Sequence, residues 1–206
     1  FGAVVPHAVH LLPQSRPRLS VICLARGAEA QVDLSATGPV FPWHTPALQS
    51  AVGNLPRHIA SRWRWWRLPT PPLKKSEIQE LLEDDCKITK WHTAEETSKL
   101  LAMMSETNMA KVNAAARLKV RQIGAVYKRT RSESGKRVQR AEVRFDGIAG
   151  CLRTPGGGSS RQTLLIVEGD RVRSRLLTVR EASRLMGVPD SYAVPSNYND
   201  GYHVFG

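Results

Sequence analysis

A chain of 206 residues, 41% of them hydrophobic, has room for one ordinary domain or a small domain plus part of another, with enough apolar material for a buried core. No apolar run approaches the ~20 residues of a membrane span and the first residues lack a secretory pattern, so the cytoplasm is the expected compartment and no membrane partner is expected. The net charge of +12 is concentrated: Ala110 to Leu185 holds 18 Lys plus Arg against 6 Asp plus Glu, and the remainder holds 12 of each, which suits a phosphate-contacting surface better than a generally solubilising charge.

In chain order, Leu19-Ser-Val-Ile-Cys-Leu24 is short, rich in β-branched and apolar types and ended by Arg26-Gly27, which predicts a buried strand. Gly38-Pro39, Phe41-Pro42, Thr45-Pro46 and Leu55-Pro56 then punctuate a linker-like stretch with room for one short helix, Pro46 to Val52. In Arg62-Trp-Arg-Trp-Trp-Arg67, tryptophans packed beneath arginine stems are the commoner arrangement, with a nucleic-acid or membrane face as the alternative. Ser76-Glu-Ile-Gln79 reads as a capping box opening a helix to Asp85, and Thr93-Ala-Glu-Glu96 as another opening a helix from Ala94 to Met104. A further helix is expected from Asn108 to Leu118 on the spacing of Met109, Val112, Ala116 and Leu118.

From Val120 the periodicity turns strand-like, in pieces Gln122 to Lys128, Arg137 to Phe145, Gly150 to Arg153 and Thr163 to Glu168. Val167-Glu-Gly-Asp-Arg171 reads as a tight hairpin with Gly169 in the left-handed region. Thr178-Val-Arg-Glu181 is a third capping box, starting a short helix through Met186 that Gly187 ends before Pro189. The segments expected are 1–35, a strand with its approach; 36–118, linker and helices; 119–174, the basic strand-rich region; and 175–206, a helix and return segment.

Few residues suggest chemistry by themselves. Cys23, Cys86 and Cys151 are far apart and odd in number, which argues against a disulfide framework and a Cys-x-x-Cys site. His7 and His10 have no third ligand nearby, so no metal is expected. In Thr154-Pro-Gly-Gly-Gly-Ser-Ser-Arg-Gln162, glycines let backbone N–H groups approach an anion and the serines and Arg161 add donors, so a phosphate fits; a flexible hairpin connection is the alternative. The loop lacks the Gly-Lys-Ser/Thr ending of a nucleotide-binding P-loop. Gln14, Arg16 and Arg18 alternate into a strand, which sends both guanidinium groups to one side.

Gln14-Ser-Arg-Pro-Arg18, together with Arg175-Leu-Leu-Thr-Val-Arg-Glu-Ala-Ser-Arg-Leu-Met-Gly-Val-Pro-Asp190, resembles the DNA (cytosine-5) methyltransferases. In that family a Gln-x-Arg-x-Arg segment and an Arg-x-Leu-Thr-x-Arg-Glu-Ala-x-Arg-Leu-x-Gly-x-Pro-Asp segment bracket the target recognition region in this order. The resemblance implies an α+β fragment: part of an S-adenosylmethionine-dependent methyltransferase sheet plus a small strand-rich target recognition domain. It implies methyl transfer from S-adenosyl-L-methionine to carbon 5 of a cytosine flipped out of double-stranded DNA, without a metal. Arg18 is then expected at the target base, with Arg16 and Gln14 by the backbone. Arg144, Arg153, Thr154, Gly157, Gly158, Ser159, Ser160, Arg161, Arg175 and Thr178 are the expected DNA contacts, the last two on a helix that mainly organises the recognition domain. The family's Thr-Leu pair is replaced here by Cys151-Leu152.

The catalytic parts do not match. The family's nucleophile lies in a Pro-Cys pair, whereas Cys23 follows Ile22, Cys86 follows Asp85 and Cys151 follows Gly150; the glycine-rich cofactor segment and the Glu-Asn-Val segment are absent as well. The expectation is a carboxy-terminal portion, inactive alone, whose amino-terminal catalytic portion is supplied in cis or in trans. A stand-alone basic DNA-binding module is the rival reading, and an RNA-binding protein a more remote one.

Overall fold

The computed structural model describes residues 1–25, 27–28, 34–71, 76–85, 90–133, 135–154 and 161–206. They group into two compact units, Phe1–Leu11 with Arg16–Lys74, and Leu12–Ser15 with Lys75–Gly206. The division at 74 falls inside the linker-and-helix stretch 36–118, because the helices after it pack on the sheet that follows them.

In the first unit β1 (Gly2–Val4) pairs antiparallel with β2 (Ser20–Ile22), and β3 (Ser35–Ala36) pairs with β4 (Trp65–Trp66). Two helices lie between them in sequence, α1 (Pro46–Gly53) and α2 (Arg57–Ala60). The expected short helix at Pro46 is therefore present, with the Thr45 hydroxyl accepting from the Leu48 N–H at its start. The core is small: Val4, Trp43 and Trp66 are buried, with Ile22, Val40 and Leu68 packed against them. β2 is not the buried strand the sequence suggests. Leu19 and Val21 are 65% and 64% exposed, because a two-stranded ribbon covers one face only and these side chains alternate onto the other.

The second unit is built on an antiparallel sheet in the order β6-β5-β7-β8, comprising β5 (Gln122–Glu133), β6 (Lys136–Arg144), β7 (Thr163–Glu168) and β8 (Arg171–Leu176). The central strand β7 is apolar on both faces, which explains its continuous run Thr163-Leu-Leu-Ile-Val167. Leu164 and Ile166 join a core with Ile123, Leu177, Leu185, Tyr202 and Phe205, and so bury one face beneath α5 (Val179–Leu185) and α6 (Tyr198–Phe205). Leu165 and Val167 join Leu100, Met104, Val112 and Ala115, and bury the other face beneath α3 (Ala94–Ala102) and α4 (Glu106–Arg117). Mixed helix and strand agrees with the expected α+β class.

The Thr93 and Thr178 boxes both form, each with its two reciprocal hydrogen bonds, and Gly169 and Gly187 take φ of 59° and 78° as their turns require. Two expected elements do not form, and one that was not expected does. No helix follows Ser76: only a 3-10 turn, Ile78–Leu81, forms, without a side-chain cap. The chain instead leaves it extended, so that the Glu83 N–H donates to the Glu181 carboxylate and Asp85 reaches two arginines. Gly150 to Arg153 is not a strand, because the Gly150 N–H is taken by the Gln162 side chain and Leu152 enters the core. The return segment contains a helix the sequence reading passed over, α6, whose Asn197 cap accepts from the Asn199 and Asp200 N–H groups and whose Tyr202 and Phe205 face the core.

Asp85 clamps this unit. Its carboxylate accepts from Arg121 at 2.8 Å and from Arg173 at 2.9 Å, and the Arg173 guanidinium lies 4.2 Å from the centre of the Trp91 ring. The Arg121 hydrogen bond, aided by Arg173 and opposed by partial burial, holds the carboxyl at about 2, below its ordinary 3.8. A depressed carboxylate stabilises the fold fully above its unfolded value, and that stabilisation is lost as pH falls through the folded value. The urea midpoint of the protein is therefore expected to drop between pH 4 and pH 2 more steeply than that of Asp85→Asn, and parallel curves for the two proteins would refute the clamp.

Candidate nucleic-acid interface

The two distant motifs of the sequence meet at Gln14. Its backbone bridges in parallel to Ala149, with Ser15 N–H donating to the Ala149 carbonyl at 2.9 Å and Ala149 N–H to Pro13 at 2.8 Å. Its side chain is 1% exposed and donates from Nε2 to the Leu185 carbonyl at 3.2 Å, at the end of α5. A carbonyl orphaned by the end of a helix is thereby satisfied. Gln14 thus ties its own short segment, Leu12–Ser15, to α5, and its Oε1 has no hydrogen-bond partner.

Arg16 and Arg18 belong to the other unit. They flank Pro17, which bridges to His7; Arg16 is half-buried and Arg18 exposed. The Arg18 N–H donates to the Pro6 carbonyl at 2.9 Å, and its Nη1 reaches the Pro17 carbonyl at 3.0 Å.

Arg175 and Thr178 are not presented as the sequence reading expected. Arg175 is fully buried, bonded through Nη1 and Nη2 to the two carboxylate oxygens of Glu181 at 2.6 and 2.8 Å. The Thr178 hydroxyl accepts from the Glu181 N–H and donates to Glu83 at 2.6 Å. Both side chains are occupied in fixing α5, so this motif supports the interface from behind. The half-buried Arg184 of the same motif pairs with Asp190, whose carboxyl it holds below the ordinary range.

The glycine-rich loop is held at its base by a residue the sequence reading left out. Gln162 is 5% exposed; its Oε1 accepts from Gly150 N–H at 3.0 Å and its Nε2 donates to the Val126 and Thr163 carbonyls at 2.8 and 2.9 Å. An amide is the one side chain that both donates and accepts in this way, but nothing in the local sequence marks it. Gly157, Gly158, Ser159 and Ser160 lie outside the described residues. At the described ends of the loop, Arg153 is exposed and Thr154 half-buried, while Arg161 lies 4.9 Å from the Tyr198 ring centre and donates to Asn199 at 2.6 Å. The rings and Asn199 all belong to α6, so the unforeseen helix sets the direction of Arg161.

The strongest electrostatic feature is the β5–β6 hairpin. β7 pairs with β5 only from Gln122 to Val126, whereas β5 stays paired with β6 as far as Glu133 and Lys136. The part from Tyr127 onward is a two-stranded ribbon that, at ~3.3 Å per residue, extends about 20 Å. It carries Lys128, Arg129, Arg131, Lys136, Arg137 and Arg140. Arg129 stands directly opposite Arg140, a like-charge cross-strand pair that destabilises a hairpin. Glu142 is shared by Arg129 and Arg131. Although burial opposes it, hydrogen bonds from Arg131 and Tyr127 hold that carboxyl below its ordinary range. Arg144, at the root, is paired with Asp146, which raises its pKa further and neutralises its charge locally.

Among the described residues no group of His, Cys, Asp and Glu is placed to hold a metal ion, and no helix is long and apolar enough to cross a membrane. A cavity of about 430 Å³ is lined by Gln79, Leu82, Glu83, Asp84, Asp85, Arg121 and Ile123, and its three carboxylates disfavour a phosphate. β8 leads into α5 through the side-chain cap of Thr178, not through a glycine-rich turn.

A family model for C-5 cytosine-specific DNA methylase matches residues 8–206. No curated protein and no solved structure matches the chain. The match spans both units and includes the Gln14 tie, the basic hairpin and the Thr178 helix, and on it the chain belongs to the C-5 cytosine-specific DNA methylase family.

Proposed function

We propose that this chain is the DNA-recognition portion of a cytoplasmic DNA (cytosine-5) methyltransferase, acting on double-stranded DNA. The observation that carries the reading is the basic β5–β6 ribbon, in which Arg129 faces Arg140 across the ladder. A like-charge pair at a cross-strand position costs stability and is relieved by a polyanion. A two-stranded β-ribbon is also one of the elements that a DNA major groove, about 12 Å wide, admits. Arg153, Thr154 and Arg161, with Gly157, Gly158, Ser159 and Ser160 between them, provide further backbone contacts at the glycine-rich loop. Arg18 reaches the flipped cytosine and Arg16 the DNA backbone. Arg175, Thr178 and Gln14 act as supports: they position α5 and the loop base, and do not touch phosphate.

The methyl donor of the family, S-adenosyl-L-methionine, supplies the transferred methyl group when bound. In this reading it is held, like the nucleophile, by an amino-terminal catalytic portion joined in cis or in trans. The chain alone orients the DNA and steadies the target base. The 206-residue chain is therefore expected to transfer no methyl group from labelled donor to duplex DNA by itself, and to support transfer when mixed with a family member's amino-terminal half carrying the Pro-Cys pair. Methylation by the isolated chain would overturn this division of labour. DNA binding without any complementation by such a half would favour the stand-alone module, which the same ribbon would serve.

A further inference from the structure

Register divides the side chains of the β5–β6 ribbon between two faces, because residues directly opposite one another in an antiparallel pair share a face and neighbours along a strand do not. Tyr127 stands opposite Glu142, Arg129 opposite Arg140 and Arg131 opposite Val138, so these six lie on one face. Lys128 opposite Ala141, Thr130 opposite Gln139 and Ser132 opposite Arg137 make the other. The contacts agree with this division. Glu142 pairs with Arg129, at 3.8 Å, and with Arg131; Tyr127 hydrogen-bonds the same carboxylate, and the Arg129 guanidinium lies 4.7 Å from the centre of the Tyr127 ring.

The first face continues the side of the sheet that α5 and α6 cover, since Ile123 and Ala125 precede Tyr127 at alternate positions and are buried in that core. It is also the side of the glycine-rich loop. At the base of the loop a Cβ on Gly150 would stand 3.8 Å from the Tyr127 ring, and at its far end Arg161 rests on Tyr198 of α6. The second face continues the side beneath α3 and α4, where Ala141 and Val143 are buried and the Ala141 N–H donates to the Met103 carbonyl at 3.0 Å.

The two faces differ in chemistry. From Lys128 to Ser132 and Arg137 to Ala141 the second face sets Lys128 and Arg137 among hydroxyls and an amide, with no carboxylate, which suits phosphate. On the first face three arginines surround Glu142. A carboxylate repels phosphate, yet it accepts a hydrogen bond from the N4 amino group of cytosine, and an arginine fork matches the O6 and N7 acceptors of guanine. Adenine is read by Asn or Gln, and the first face carries neither. Glu142 orients Arg129 and Arg131 without using them up, because one carboxylate cannot take all five donors of each guanidinium. Opposite residues stand about 5 Å apart across the ladder, so Arg129 and Arg140 can reach the same base pair or adjacent ones. We propose that the face bearing Arg129, Arg131 and Arg140 reads guanine in the major groove, so that the chain prefers duplexes with G·C pairs where the ribbon crosses them. The inference rests on the reading of the chain as DNA-binding, and assigns base recognition to one face of the ribbon.

The test is selection of bound duplexes from a randomised pool by the full chain, followed by affinity measurements on a selected duplex and on an A·T-only duplex. Selection is expected to enrich G·C pairs, and 7-deazaguanine, which lacks the N7 acceptor, is expected to weaken binding of the selected duplex to the unaltered chain by roughly 10-fold for each guanine read. Two variants remove the same charge from opposite faces: Arg129→Gln with Arg140→Gln, and Lys128→Gln with Arg137→Gln. The first is expected to lose the preference for the selected duplex, and the second to keep it while binding both duplexes more weakly. If the parent chain binds all duplexes alike with a strong salt dependence, or is indifferent to 7-deazaguanine, the face does not read guanine, while the DNA reading stands. Loss of the preference in the Lys128 and Arg137 variant alone would assign readout to the other face and overturn the proposal. A parent chain that binds no duplex overturns the DNA reading itself.

Discussion

Replacing Glu181 by glutamine is expected to destabilise the larger unit by about 3–5 kcal/mol, read as a fall in the urea midpoint at constant slope. The carboxylate is 1% exposed and receives Arg175 through both terminal nitrogens, as well as the Thr178 N–H and the Glu83 N–H, each at 2.9 Å. Glutamine keeps one acceptor and turns an NH2 group toward a guanidinium that is wholly buried. An unpaired buried cation is the costly outcome, far more so than loss of the pair as a whole. The double variant Arg175→Met with Glu181→Leu is accordingly expected to recover a large part of the loss, though not the capping bonds. A Glu181→Gln effect under about 1 kcal/mol would show that the pair is reached by water and that α5 is held by packing alone.

The second large effect concerns DNA. Substituting serine for both Arg129 and Arg140 is expected to weaken duplex binding about 100-fold at moderate salt, at ~1.5 kcal/mol or more for each charged hydrogen bond lost, and to reduce the salt slope by about 2. The same variant is expected to unfold no earlier than the parent, because it removes a like-charge pair that stands directly across the ladder. Opposite signs for binding and stability separate a DNA-contacting role from a structural one. Equal loss of both would mean that Arg129 supports the hairpin through its Glu142 carboxylate partner. Competition extends the test: a major-groove dye such as methyl green is expected to displace the chain, and a minor-groove ligand such as netropsin to leave it bound.

Features with short-range causes were legible. The Thr93 and Thr178 boxes formed because two bonds within four residues satisfy the helix start whatever surrounds it. Gly187 ended α5 because its φ of 78° is open to glycine at little cost. The same reasoning failed at Ser76, where Glu83 and Asp85 gain partners nearly a hundred and nearly forty residues away by leaving the helical path. It also missed the reach of β5, since strand length depends on a partner strand and β6 continues past the last residue that β7 pairs.

For the site, the sequence by itself determined the family, through two short motifs, and the excess of positive charge. Only the tertiary structure decided what the motif residues do. Gln14 and Arg175 look like ligand-facing polar groups when read along the chain, yet both are buried, one on the Leu185 carbonyl and the other on the Glu181 carboxylate. Burial is a property of what packs on top, and neither residue's neighbours in sequence specify it. The same holds for charge: composition counts arginines, while register determines that Arg129 meets Arg140 across the ladder.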